Sequence, residues 1–544
     1  MKNIAKLILG TCISSSVLLT GCIDETFPTS GATEDQLTSS EKALDAMLWA
    51  MPAYFNTFQL LPSRQDYDWG YGSLMHVRDV LTGDMAVAYS GSGYDWYEAW
   101  GTCQAMDEDR MLQQFPWWYY YKFIQTANNV IAVIDPETAP ESQLGYLGAA
   151  YAFRALGYLD AAQMYEFLEN DVIPSVNKSG NDVLHLTVPI VRENMTEEEA
   201  RTNPRATREQ MAEFILSDLN AAETYVPHLT ETSKTLPHLA AVYGMKARYY
   251  MWLASSGSEE QTQYLADARE YARKAITASG LTPMNEQQCL STTSGFNDLS
   301  CWIWGSQLAS EDGQVKSGII TWTSWMSNET TYGYTGQEPF LMIDANMYAR
   351  ISDTDFRKRM WKAPEGGLLE GQTPFIDEEH GANLPAYASV KFRPGQGNME
   401  DYTVGNVVAF PVMRVEEMYF IEAEAAERMA AGEGKQLLED FMRNYRDKQY
   451  TCRAIDVVDE IVFQKRVELW GEGLTFFDIK RLDMSVTRGY SGTNFSDMAR
   501  FNTDGRPAWM NMVIVSQERD NNTALAGWEN PDVTDCYNRW VEGQ

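Results

Sequence analysis

From Glu41 onward the chain alternates between stretches with helical spacing of apolar residues and long stretches without it. Leu44, Met47, Leu48 and Met51 fall on one face of a helix expected over 41–57. Pro116 suits the first turn of a second helix, on which Trp117, Tyr121 and Ile124 share a face. Trp117 and Trp118 read there as core residues. Gln143 to Tyr165 repeats Leu147, Ala150, Tyr151, Ala155, Tyr158 and Leu159 at spacings of three and four. Thr207 and Gln210 form a capping box ahead of Met211, Phe214 and Ile215, so a helix is expected to Tyr225. Pro237 opens another through Ala240, Tyr243, Ala247 and Tyr250, and Tyr264 to Ser279 carries Ala268, Ala272 and Ala275. Helical spacing returns over Val412–Ala430, Lys435–Lys448 and Asp456 to about Gly471.

Small residues opposite large aromatics let paired helices approach closely. That pattern predicts an all-α fold of degenerate tetratricopeptide hairpins over about 41–57, 117–168, 207–279 and 410–482. Two irregular regions interrupt it, 58–116 and 284–409, both rich in aromatics among Gly, Ser and Thr. Long irregular segments on a helical scaffold usually carry function. The first holds Tyr89, Tyr94, Asp95, Trp96, Tyr97 and Trp100, with Arg78 and Asp84 nearby. The second holds Trp322, Trp325, Asn328, Tyr332, Tyr334 and Gln337. Aromatic rings flanked by polar side chains suit a pyranose, whose C–H face meets the negative face of a ring. Packing beneath the loops is the other reading for each aromatic. It is preferred for Trp302 and Trp304, and Arg78 fits a pair with Asp79 or Asp84 as well as a hydroxyl ligand.

Composition narrows the partners. The 544 residues hold 43 Lys and Arg against 76 Asp and Glu, a net charge of −33. Phosphate-binding grooves need clustered cations, so nucleic acid is not an expected partner. Residues 1–21 have the form of a signal peptide: Lys2 and Lys6, then an apolar stretch too short to span a bilayer. The run Leu19-Thr20-Gly21-Cys22 resembles a bacterial lipobox, with cleavage before Cys22 and lipid on its thiol. Losing Lys2 and Lys6 takes the charge from −33 to −35. Residues 22–40 are polar and read as a tether, followed by a single domain over 41–544. Cys289 and Cys301 are candidates for a bridge that spacing alone leaves open. No zinc spacing, HExxH, phosphate loop or Ser/His/Asp arrangement occurs. No cofactor is expected. The many carboxylates leave a structural calcium ion open, although no EF-hand loop is present.

Several motifs together resemble the SusD/RagB family of outer-membrane nutrient-binding lipoproteins. Tyr151–Asp160 resembles its RAxxYFDL helix, and Arg205–Leu219 the helix start that follows. Arg414–Ala425 resembles RxxExxLxxAEA, Arg466–Arg481 resembles RxELxxEGxRxxDLxR, and Ser516–Asn522 resembles the closing element. Ile23-Asp24-Glu25 resembles the surface-export signal of Bacteroidota lipoproteins. Thr475, Gln464 and Val515 depart from the usual Arg, Glu and Pro. The resemblance implies a lipid-anchored protein on the outer cell surface that binds oligosaccharide without catalysis. It also implies a SusC-like TonB-dependent transporter as partner. The implied ligand positions are Arg78, Tyr89, Tyr94, Asp95, Trp96, Trp100, Trp322, Trp325, Tyr332 and Tyr334. A charge of −35 favours a neutral glycan; peptides or another nutrient are the alternative cargo. Glu422, Glu424, Arg466, Glu468, Glu472 and Asp478 are expected to serve the scaffold through ion pairs with Arg414, Lys465, Lys480 or Arg481.

Overall fold

The computed structural model describes residues 41–62, 65–88, 99–255, 260–293, 295–337 and 339–543. Helix α1, Glu41–Ala53, buries Leu44, Leu48 and Met51 as their spacing predicts. Helix α2 is Tyr71–Val80, α3 Met111–Val133 and α4 Glu141–Tyr165. Then come α5, Arg208–Tyr225, α6, Leu239–Ala254, and α7, Gln261–Ser279. After the second irregular region follow α8, Val415–Met429, α9, Glu433–Tyr445, α10, Val457–Glu468, and α11, Thr475–Arg481. Successive helices pack on one another: α3 on α4, α4 on α5, α6 on α7, and α8 on α9 and α10. This all-helical scaffold is compatible with the tetratricopeptide plan. Small residues permit the close packing. A Cβ on Gly148 of α4 would fall 2.3 Å from the backbone nitrogen of Val226, just past α5. The Thr207 capping box forms as expected.

Two differences from the sequence reading concern the first irregular region. It contains α2, all ten of whose residues are buried. A helix buried on every side has no polar face, and Ser73, His76, Arg78 and Asp79 interrupt its apolar pattern, so neither periodicity marks it. Helix α3 starts at Met111, which places Pro116 inside the helix rather than at its opening turn. The ring there removes one backbone hydrogen bond.

The scaffold also carries two small sheets. Strand β1, Met85–Val87, and β2, Trp304–Gln307, precede β3, Leu341–Ile343, and β4, Ala409–Met413. β1 pairs antiparallel with β3 and β2 with β4, so each irregular region is stitched to a partner far along the chain.

The Arg466–Arg481 motif grips α2. The Gly473 N–H donates to Asp79 at 2.9 Å, the Trp470 indole donates to the Asp84 carbonyl at 2.9 Å, and Arg466 pairs with the Asp84 carboxylate. Glu468 receives Arg357, Arg414 and Arg446, while Glu472 receives Lys391 and Arg414. Glu424 and Asp478 share Arg481, Asp478 also takes Lys465, and Glu422 takes Arg273. Lys480 differs from expectation. Its ammonium donates to the carbonyls of Met164, Glu166 and Met510 at 3.1, 2.7 and 2.7 Å. The tail then returns over the start of the fold: Trp509 donates to the Leu81 carbonyl, Asn511 brackets Leu168, and Asn530 donates to the Tyr165 carbonyl. Cys103, Cys289, Cys301, Cys452 and Cys536 are free thiols, so Cys289 and Cys301 form no bridge.

Candidate functional site

The second irregular region builds its surface on a short buried helix, Trp322–Met326, capped by Thr321. Trp322 is fully buried, stacked on Phe410 of β4 at 5.0 Å and edge-on to Phe392 and Trp69. Trp325 is fully buried too, but one face meets Tyr334 in an offset stack at 4.1 Å and 16°. Tyr334 is half-buried and begins a second short helix, Tyr334–Gln337. Its hydroxyl donates to Asp66 at 2.9 Å and its backbone N–H to the Ser324 hydroxyl at 3.0 Å. Thr335 ties the two short helices together through the carbonyls of Ser324 and Ser327.

Tyr332 extends this aromatic surface. It is half-buried and meets Tyr402 at 6.2 Å and 68°. Thr331 fixes the segment by donating its backbone N–H and hydroxyl to the Met399 carbonyl. The Tyr332 hydroxyl lies where a Cβ on residue 405 would stand, so Gly405 leaves room for it. Burial, reinforced by Asp401, pushes that phenol well above its ordinary pKa, so it stays neutral. Tyr402 is 39% exposed and lies across Gly318. Sequence reasoning missed it, since one Tyr between Asp401 and Thr403 has no neighbouring cluster to mark it. The result is a set of rings, Tyr334, Tyr332 and Tyr402, held by rigid packing beneath and open on part of their surface.

Other sequence candidates fall elsewhere. Arg78 is a core residue: its guanidinium donates to Asp160 at 2.8 Å and to the hydroxyls of Tyr120 and Tyr71. Neither ligand contact nor pairing with Asp79 or Asp84 describes it, because α2 turns it inward toward α3 and α4. Trp100 is also fully buried, edge-on to Tyr67 at 5.5 Å. The expected ligand contacts of Arg78, Trp100, Trp322 and Trp325 are therefore corrected: apolar bulk places the three tryptophans in the core, and the ion pair with Asp160 holds the Arg78 guanidinium there. Trp302 and Trp304 are fully buried. Tyr89, Tyr94, Asp95, Trp96 and Cys22 lie outside the described residues. Asn328 is structural, bracketing Leu341 and donating to the Ser389 carbonyl.

Among the described residues no group of three or more His, Cys, Asp or Glu is placed to hold a metal ion. No helix among them is long and apolar enough to cross a membrane.

Comparison with known proteins follows the same lines. A family model described as SusD-like, starch-binding and associating with the outer membrane matches residues 67–251. A second, the SusD family model, matches residues 303–525. No curated protein matches the chain. A solved SusD-like carbohydrate-binding protein from Bacteroides vulgatus is 20% identical, with a TM-score of 0.65 over 89% of this chain and 96% of that one. A SusD superfamily protein from Bacteroides thetaiotaomicron is 18% identical, with a TM-score of 0.64 over 88% and 98%. Surface glycan-binding protein A from Bacteroides thetaiotaomicron, solved with laminarihexaose, is 14% identical, with a TM-score of 0.60 over 90% and 99%. The backbone likeness spans both the helical scaffold and the regions between its helices, and the two family models match one on each side of residue 300, so the chain belongs to the SusD/RagB family.

Proposed function

We propose that the protein captures oligosaccharide on the surface formed by Tyr334, Tyr332 and Tyr402 and passes it to a SusC-like TonB-dependent transporter. The observation that carries this is the Trp325–Tyr334 stack, which holds a partly open ring in a fixed plane. A ring fixed before binding loses little freedom when a sugar lies on it. Asp66 accepts from the Tyr334 hydroxyl and Asp401 caps Thr403, and each carboxylate has further lone pairs to offer a sugar hydroxyl. Support comes also from the family and from the structural neighbour solved with a glucan. The anchor in this reading is lipid on Cys22, which holds the body at the outer cell surface. Tyr89, Tyr94, Asp95 and Trp96 remain further candidates for the same ligand.

Binding proceeds without chemistry in this reading. The carboxylates of the Arg466–Arg481 motif are buried and each is occupied by a cation, which leaves none poised as a general acid. The cargo is a neutral glycan, since the chain cleaved before Cys22, at −35 without Lys2 and Lys6, repels sulfated or uronic polymers.

Calorimetric titration with a panel of neutral oligosaccharides tests the proposal, with Tyr334→Ala and Tyr402→Ala alongside. Saturable binding weakened in both variants supports it. Binding unchanged in both would move the site elsewhere, and binding of peptides alone would replace the cargo.

A further inference from the structure

The last residues of the chain meet the first irregular region through their backbones. The Asp535 N–H donates to the Cys103 carbonyl at 3.0 Å. The Met106 N–H donates to the Thr534 hydroxyl at 3.2 Å, joining residues 428 positions apart. These two bonds set Cys103 and Cys536 on adjoining stretches of chain. Tyr537 fixes the other side of Cys536. Its hydroxyl accepts from the Ala508 N–H at 2.9 Å and donates to Asp171 at 2.5 Å, and its ring meets Trp509 edge-on at 5.0 Å.

Cys103 is fully buried and Cys536 half-buried. Burial pushes the Cys103 thiol up to about 12; Arg488 opposes, while Cys536 and Asp535 add to it. Burial is also the main cause that pushes the Cys536 thiol up to about 12. The two sulfurs therefore lie within electrostatic reach of each other. A disulfide needs Cα atoms no more than about 7 Å apart, and chains joined by a main-chain hydrogen bond supply that spacing. Cys289 and Cys301 differ. The Cys301 thiol accepts from the Gln288 amide at 3.3 Å and donates to Asp298 at 3.4 Å, and Cys289 donates to the Met284 carbonyl at 3.9 Å. Their sulfurs are spent on polar partners. Among the described residues no other residue's polar group occupies the sulfur of Cys103 or Cys536.

We propose that Cys103 and Cys536, free thiols in this structure, are a redox pair that closes into a disulfide and fastens the tail covalently to the first irregular region. The inference rests on the reading that the chain is exported, because disulfides persist outside the reducing cytosol. The oxidant is an exogenous disulfide. The Cys536 thiolate attacks one of its sulfurs and a first thiol leaves; the Cys103 thiolate then attacks the Cys536 sulfur and a second thiol leaves. Two protein thiols become one disulfide, the donor disulfide becomes two thiols, and these carry away both protons. The exchange belongs to the folding chain, before burial suppresses the thiolates. Once the tail has docked, the same burial shields the bond.

The test refolds the reduced full chain from urea in a glutathione redox buffer, alkylates it, and maps its peptides without reductant. The expected result is one dominant cross-link, between the peptides carrying Cys103 and Cys536. Cys536→Ser abolishes it and Cys452→Ser keeps it. Dithiothreitol lowers the melting temperature of the oxidised chain by about 3–5 °C. It leaves that of Cys536→Ser unchanged, which separates the bond from lost packing. Free thiols at both positions, or Cys103 joined to other cysteines as often as to Cys536, would overturn the proposal. Should the chain not refold from urea, the same mapping of folded protein held in the buffer decides between these outcomes. Protein alkylated in intact cells separates this inference from the export reading. A bond formed in the buffer, with both thiols free in cells, supports the pair and counts against export.

Discussion

Gly473 donates its backbone N–H to a side-chain carboxyl oxygen of Asp79 at 2.9 Å, joining residues 394 positions apart. Gly473 has φ of +69°, and a Cβ there would stand 2.6 Å from the Cα of Met75. Gly473→Ala therefore meets both a left-handed backbone and the wall of α2. It should cost about 2–4 kcal/mol, the sum of backbone strain and overpacking. Urea unfolding measures it, and a loss under about 1 kcal/mol would refute the clamp.

Burial is the largest influence on Asp79 and raises its pKa well above the carboxylate range, with Asp84 adding to it; Gly473, Arg78 and Lys391 oppose. The unfolded chain releases this proton near pH 4 while the folded chain keeps it. The unfolded state then binds fewer protons, so Asp79 lowers stability as pH rises from about 4, by up to about 1.4 kcal/mol per pH unit. Asp79→Asn keeps an acceptor for Gly473 and removes the titration. Its stability should fall less steeply between pH 4 and 7 than that of the unaltered chain. Parallel profiles for the two proteins would contradict this.

Glu468 carries the opposite sign. It is buried, which by itself would raise its pKa, but Arg446, Arg414 and Arg357 hold it well below the carboxylate range. Glu468→Gln leaves three guanidiniums short of one charge and should cost about 3–5 kcal/mol at pH 7. The contribution is fully present above the unfolded value near 4.3 and is lost as pH falls below it. The gap between variant and unaltered chain should accordingly narrow in acid. Chemical denaturation at pH 7 and pH 3.5 decides this, and a constant gap would argue for a purely steric cause.

Trp322 and Tyr402 separate stability from binding. Trp322→Ala empties a site packed against Phe410 and Phe392 and should cost about 3–5 kcal/mol. Tyr402→Ala removes a ring already 39% exposed and should cost about 1 kcal/mol or less, yet weaken glycan binding about tenfold. Calorimetry paired with melting curves checks both. A binding loss that tracked instability in Tyr402→Ala would remove that ring from the site.

The features most legible in the sequence are those whose physics is local. The Thr207–Gln210 box needs only four residues to satisfy the first backbone donors of α5, and it forms. Thr207→Ala should cost about 1 kcal/mol, read from the urea midpoint. Helix α2 was not legible, because its burial is decided by Gly473, Trp470 and the tail, hundreds of residues away. The candidate site is legible only in part. Tyr332 and Tyr334 stand at an open surface, whereas Trp322, Trp325 and Trp100 obey the stronger tendency of large rings to be buried. Gln464, which departs from the family pattern, still accepts a hydrogen bond from Arg357, so the substitution keeps the geometry while giving up a charge.

The returning tail closes over the start of the fold. Leu81 and Leu168 wait for Trp509 and Asn511, and the carbonyl of Tyr165 waits for Asn530. The early helices thus depend on the final segment for these backbone partners, so loss of the tail would unseal the core they share.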